Sequence, residues 1–363
     1  MNRVPTTLAR ATTGRPDTAV ERVLAALRPT PLETELLRAC LWEDEDGAAA
    51  WRRWRRQVSD PVAVLSVERG GLRYLLPLLL TPATRQPQEE RELLTLLRAA
   101  RLRERLRDEV CSRVYGEVRT VLGERELAFL VGGEFAVAAT AYSDRSQRHC
   151  HELELLLTPG DLVEASRTLV SELHCSPRGP SDADGALVEH PSGLPVRLST
   201  GTLGAPHGRI AVGDLEQAAV LAQIGDSPAS VPSAADLLVD VLVRAVADGR
   251  SSGLWWVCDG ALLCRSAHLD WERVLDHFSG TALMLRALAR YLAEEVGASI
   301  PALVLERLRL SAARATPSER VAILRNVSTW NPIAVLRHAR RSSLRVLAWT
   351  FSDRIRRNAR HLT

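Results

Sequence analysis

Between Glu126 and Thr200 the hydrophobic pattern leaves the helical repeat that governs the residues on either side. That interruption constrains the fold more than any other feature, because repeats of two and of 3.6 demand different backbones. LAFLV is a short apolar run closed by Gly132-Gly133, and EFAVAATAY after it reads as helix. HELELLL alternates and stops at Pro159-Gly160. DLVEASRTLVSEL reads as an amphipathic helix with Thr158 as N-cap and Pro159 at the first helical position. ALVEH and LPVRLST are two strands separated by PSG, a hairpin signal. Strand, helix, strand, helix, strand, strand makes a compact unit, and its hairpin makes the sheet mixed.

The flanks read as helix. From Asp17 to Gly123 the pattern is helical, and EERELLTLLRAARLRERLRDEVCSRVYGEVRTVLG runs without proline to Gly123. Leu93, Leu94, Leu96, Leu97, Leu102, Leu106, Val110, Val114, Val118 and Leu122 are expected to form one apolar stripe, bent near Gly116 if anywhere. From Gly213 onward LEQAAVLAQIG, SAADLLVDVLVRAVADG, LWWVCDGALLCR, HLDWERVLDHF, TALMLRALARYLAEEVG, PALVLERLRL and a segment near Pro332–Leu362 each read as helix. Gly225–Pro232 is the most linker-like stretch. The expected class is therefore α+β and mostly helical. A tail at 1–16 and a helical region at 17–123 precede an α/β core at 124–212, and a helical region follows at 213–363.

Composition excludes several chemistries. All 47 basic residues are arginine, so no Schiff-base or P-loop lysine is possible. Any phosphate held by a side-chain cation is held by a guanidinium fork. The net charge of +3 is too balanced for a chain that binds nucleic acid as a whole. Six dispersed cysteines match no zinc spacing and read as buried thiols of a reducing compartment. With no apolar run of eighteen residues and no signal-peptide core, the expected location is the cytoplasm. No Walker loop, G-x-G-x-x-G fingerprint or serine elbow occurs.

One constellation could carry chemistry. Gly132-Gly133 lies between a strand and a helix, where backbone N–H groups can approach a phosphate. Glu152 and Glu154 stand at i and i+2, on one face of a strand. Taken singly, the glycines fit an ordinary turn and the glutamates a solvated strand face. His149-Cys150-His151-Glu152 resembles a metal cluster by composition, but neighbours on a strand point to opposite sides.

In order and spacing these pieces resemble an uncharacterised bacterial nucleotidyltransferase family. Its members carry LLKG, then R…DIDLLV, then VDLHW, followed by a WLxDIALLL-like helix and an L-D-W helix start. Here LAFLVGG and HELELLL precede VRLST, LWWVCDGALLC (Asp259) and HLDWERVL (Asp270, Trp271). LLRACLWEDEDGAAAWRRW and LLPLL resemble the family's N-terminal helices, so the likeness runs from about residue 30 to 310. It implies a nucleotidyltransferase-like core in which Gly132 and Gly133 face the phosphates and two strand carboxylates share metal with a third.

The departures change that expectation. Val131 replaces the family's lysine, Glu152 and Glu154 replace its aspartates, Arg197 replaces the third carboxylate and Ser199 the following histidine. A longer glutamate displaces its carboxylate from short octahedral Mg²⁺ bonds, and Arg197 is expected to pair with a glutamate and lower both carboxylate pKa values. The expected protein is thus a degenerate or repurposed member with no metal and no cofactor, an accessory factor beside bacterial peptide natural-product genes. If it is active instead, Glu152 and Glu154 bind Mg²⁺ with an NTP, and Asp182, Asp184 or Glu189 supplies the third acid. A third reading is a basic helical adaptor. Trp51-Arg52-Arg53-Trp54-Arg55-Arg56 and a C-terminal group including Arg337, Arg341, Arg356 and Arg357 form either solvated helix faces or sites for an acidic partner.

Overall fold

The computed structural model describes Leu24 and residues 28–66, 69–86, 89–179, 185–203, 209–247, 253–279, 281–316 and 319–320. The C-terminal arginines Arg337, Arg341, Arg356 and Arg357 lie outside these residues, as do Asp182 and Asp184.

The N-terminal helices are α1 (Pro31–Leu41), α2 (Glu45–Gln57), α3 (Pro61–Ser66) and α4 (Leu76–Thr84). Thr30 and Glu33 form a reciprocal capping box on α1, and Asp44 caps α2. Trp51 and Trp54 of α2 are fully buried and stacked, with ring centroids 5.2 Å apart. Arg52 pairs with Glu45, Arg53 with Glu35, and Arg55 with Glu89 and Glu90, so this segment is a packed helix with a salt-bridged face.

Helix α5 (Arg91–Gly123) is a single helix through Gly116. Its buried side is Leu93, Leu97, Ala100, Glu104, Cys111, Val114, Val118 and Leu122. The expected stripe is corrected at two places: Leu102 is 58% exposed and Leu106 is 53% exposed. At 100° per residue both lie opposite the buried side, and the slot between Ala100 and Cys111 is taken by Glu104, whose carboxylate meets His149.

The core follows. Its strands are β1 (Leu130–Gly132), β2 (Leu153–Leu156), β3 (Ser176–Pro177), β4 (Gly185–Glu189) and β5 (Pro195–Ser199), in the order β1-β2-β5-β4-β3. Only β2 and β5 run parallel; the other pairs are antiparallel, which makes the sheet mixed as expected. Helix α6 (Gly133–Ala141) follows β1 directly, and α7 (Leu162–Glu172) follows β2. The expected Thr158 cap is corrected: Asp161 takes the N-cap place, and the Thr158 hydroxyl donates to its carboxylate at 2.7 Å, closing a turn before the helix.

Beyond the sheet lie the hairpin β6 (Gly201–Leu203) with β7 (Arg209–Ala211), the short helix α8 (Val212–Glu216), and the hairpin β8 (Val220–Ile224) with β9 (Ser227–Val231). LEQAAVLAQIG is therefore not one helix, and the linker-like Gly225–Pro232 contains a strand. Gly225 at φ 57° starts a two-residue turn that joins Ile224 to Ser227, and a short turn of this kind turns the chain back on itself. Tyr115 of α5 donates its hydroxyl to the Pro228 carbonyl at 2.7 Å and ties this hairpin to the long helix.

The C-terminal helices are α9 (Ala234–Ala247), α10 (Trp255–Leu263), α11 (Trp271–His277), α12 (Ala282–Arg290) and α13 (Ala302–Ala313). Asp270 caps α11 by accepting from the Arg273 amide. TALMLRALARYLAEEVG changes to a π-helical turn at Tyr291–Val296. Trp255 and Trp256 are buried, as expected of core. The mostly helical α+β class is the observed one.

Candidate functional site

The register brings the expected site into one row. Gly132 on β1 faces Glu154 on β2, and Glu154 faces Arg197 on β5. Glu152 immediately precedes β2, and its carboxylate receives a two-pronged contact from Arg197: Nε to Oε1 at 2.6 Å and Nη2 to Oε2 at 2.9 Å. Such a fork matches a carboxylate in geometry as well as charge. Hydrogen bonding and charge from Glu152 raise the Arg197 pKa further against the opposing effect of burial.

Glu154 has a different partner. Its carboxylate is buried and lies 3.2 Å from Arg244 Nη2, which reaches over from α9. The same guanidinium donates from Nε to Asp240 at 2.8 Å, one turn earlier on that helix. Arg244 thus bridges two buried carboxylates from separate elements. Burial raises the Glu154 pKa, with Asp240 and Glu152 adding to the rise and Arg244 and Arg197 opposing it. The expectation that both carboxylates would be pulled down fails at Glu154, because desolvation outweighs the attraction of the two arginines.

Gly133 sits at φ 58°, and a Cβ there would lie 2.5 Å from Glu154 Oε2. The glycine turn is therefore required by backbone shape and by close approach of the glutamate. The space against the turn holds a carboxylate where the likeness implies phosphates. A cleft of about 220 Å³ opens elsewhere, lined among others by Trp42, Arg85, Tyr142, Gln147 and Arg265.

Among the described residues no group of three or more His, Cys, Asp or Glu side chains converges as a metal centre does. Mg²⁺ needs oxygen ligands without a fixed cation among them; here each glutamate already holds a guanidinium. Glu189, a proposed third acid, pairs with Arg178 instead of joining the Glu152–Glu154 row.

A second polar cluster braces the start of α6. Arg148 is buried and grips Asp259 of α10, with Nε at 3.0 Å from Oδ1 and Nη2 at 3.0 Å from Oδ2. Its guanidinium lies 4.2 Å from the Trp255 ring centroid. Tyr142 donates to Asp259 Oδ1 at 2.7 Å, while Glu134 accepts from the His151 amide at 2.6 Å. Burial raises the Asp259 pKa despite Arg148, whereas at Glu134 the nearby Arg148 and His151 overcome burial and lower it. His149 packs on Tyr74, ring centroids 4.2 Å apart, and meets Glu104 at 2.7 Å. His149 is thus a packed core side chain, while His151 beside it is exposed.

Arg148, Asp240 and Arg244 were not among the residues expected from the sequence. The signal for the latter two was present: Asp236, Asp240 and Arg244 recur every four residues along an otherwise apolar helix, which puts them on one face. Asp236 is fully buried with Arg273, His277 and Ser233 around it.

Residues 69–293, well over half of the chain, match the family described as "Uncharacterised nucleotidyltransferase". The chain belongs to that family. The matched span covers the whole row from Gly132 to Arg244 and both members of the Arg148–Asp259 pair. This nucleotidyltransferase-family chain is also similar to the solution structure of the antibiotic-resistance factor ANT(2'')-Ia. That likeness has 13% identity over 65% of this chain and all of that one, at a TM-score of 0.30, too distant to bear on chemistry. No curated protein matches the chain. No helix among the described residues is long and apolar enough to cross a membrane.

Proposed function

We propose that this member of the nucleotidyltransferase family is catalytically degenerate and serves as a binding or accessory factor, with no Mg²⁺ or NTP in its working cycle. The observation that carries the reading is the pairing of each strand glutamate with a guanidinium: Glu152 with Arg197 and Glu154 with Arg244. Three carboxylates (Glu152, Glu154, Asp240) and two arginines leave at most one uncompensated negative charge, and protonation of Glu154 would remove it. A divalent cation entering this cluster would meet two fixed positive charges a few ångströms away, each costing roughly 4 kcal/mol or more at an effective dielectric near 20. The accessory role in a bacterial peptide natural-product pathway belongs to the same proposal and rests on the family resemblance alone.

Calorimetry with each NTP, with and without Mg²⁺, tests the reading. The expected result is no Mg²⁺-dependent nucleotide binding. Mg²⁺-dependent nucleotide transfer by the native protein, abolished by Glu154→Ala, would overturn it in favour of an active nucleotidyltransferase.

A further inference from the structure

Helix α5 turns a basic, leucine-centred ridge to solvent along much of its length. Arg98, Leu102, Arg105, Leu106, Glu109 and Arg113 fall within about a 100° arc, directly opposite the helix's buried side. Leu102 and Leu106 are one turn apart and more than half exposed. Arg98 makes no ion pair among the described residues, and Arg105 acts on Asp144 only from a distance. Arg103 and Arg107, on the adjoining edge, share the single buried carboxylate of Glu104. Of the five arginines from Arg98 to Arg107, Arg101 pairs with Asp144, so Arg98 and Arg105 set the charge of the ridge itself.

We infer that this ridge is a docking surface for an acidic amphipathic helix of another protein, with apolar side chains laid on Leu102 and Leu106 and carboxylates against the flanking arginines. A leucine pair at i and i+4 offers apolar contact to a helix laid alongside, and arginines beside it set the charge of that helix. The chain's own termini do not complement the ridge. Residues 321–363 carry nine arginines and one aspartate, and residues 1–23 carry four arginines against two acids. A second copy would set arginine against arginine, with Glu109 as the one acid on the arc. Nucleic acid would use the arginines and leave the leucines uncovered, and the arc carries no aromatic side chain for stacking on bases. Two leucines also bury too little to hold a helix in a bilayer interface.

The inference is independent of whether the Glu152–Glu154 site is active. It is tested with the full chain and a fluorescent 21-residue peptide, helical, with leucine at a and d heptad positions and glutamate at e and g. Controls are a scrambled peptide of the same composition, a single-stranded oligonucleotide and anionic phosphatidylglycerol vesicles. The scrambled peptide reports charge attraction to the arginine-rich C-terminus. Binding of the amphipathic peptide is expected to be at least tenfold tighter than that of the scramble. Leu102→Ser/Leu106→Ser and Arg98→Glu/Arg105→Glu should each remove that preference, with unchanged circular dichroism because these side chains face water. Equal affinity for peptide and scramble would overturn the inference. So would a preference that survives both variants, or variant-sensitive binding confined to oligonucleotide or vesicles.

Discussion

Arg244 Nη2 lies 3.2 Å from Glu154 Oε2, a contact made across ninety residues of sequence. It fastens α9 to the centre of the sheet, and it determines what would be needed to convert the site to a metal centre. Replacing Arg197, Glu152 and Glu154 with aspartate removes one guanidinium and leaves the other. The triple variant is therefore expected to show no Mg²⁺ binding by calorimetry, and adding Arg244→Gln is expected to produce it. Mg²⁺ binding by the triple variant alone would show that Arg244 does not hold the metal position.

Arg244→Ala would leave Glu154 and Asp240 buried without their shared cation. The expected loss is about 2–3 kcal/mol of unfolding free energy, less than for a wholly buried pair because a third of the Arg244 side chain remains in water. Urea denaturation reads this directly. A loss under about 0.5 kcal/mol, the range of a surface pair, would place the contact among dispensable ones.

The Arg148–Asp259 pair is more deeply enclosed, both side chains being about 5% exposed or less. Asp259→Ala should cost about 3–5 kcal/mol by stranding the guanidinium, whereas Arg148→Met with Asp259→Leu should cost much less. If the double variant is as unstable as the single, the pair supplies more than charge compensation.

Gly133→Ala is expected to destabilise by about 1–3 kcal/mol through its left-handed backbone, with a further cost from the clash with Glu154. A double-mutant cycle with Glu154→Ala separates the two, since removing the glutamate should relieve the clash and leave the backbone strain. Additive effects would show that the glutamate moves aside freely.

Glu154 also sets a pH dependence. Burial raises its folded pKa above the ordinary glutamate value, so the folded state holds the proton more tightly than the unfolded one. Relative to Glu154→Gln, the native protein should be favoured at acid pH and lose that advantage as pH rises from about 4.5 through the raised folded value. Asp236 carries the opposite sign. Burial would raise it, but hydrogen bonds from His277, Arg273 and Ser233 hold it low, so its contribution is lost as pH falls through the folded value. Paired denaturation series with Glu154→Gln and Asp236→Asn should slope in opposite directions.

Strands β2, β4 and β5 were legible because they keep their pattern over four or five residues and end near Gly, Pro or PSG, whereas the two-residue β3 is too short to show a period. The row of Gly132, Glu154 and Arg197 followed from strand alternation together with the family likeness. Arg244 was only partly legible: its recurrence with Asp236 and Asp240 marks a polar face, but nothing local tells which strand that face will meet. The β8–β9 hairpin was misread because VLAQI suits helix and strand alike, and only the Gly225-Asp226 turn decides between them. Leu102 and Leu106 misled in the other direction, since leucine reports a buried face only when the neighbouring turns agree.

Helix α5, thirty-three residues and about 50 Å long at 1.5 Å per residue, packs on α4, on α7 and on the turn at Arg145–Gln147. Through Tyr115 it also holds the β8–β9 hairpin. The N-terminal helices and the sheet thus share one structural beam. Neither can loosen without exposing the side of α5 that the other leaves covered, so both should melt in the same calorimetric transition even though the sequence suggests separable modules.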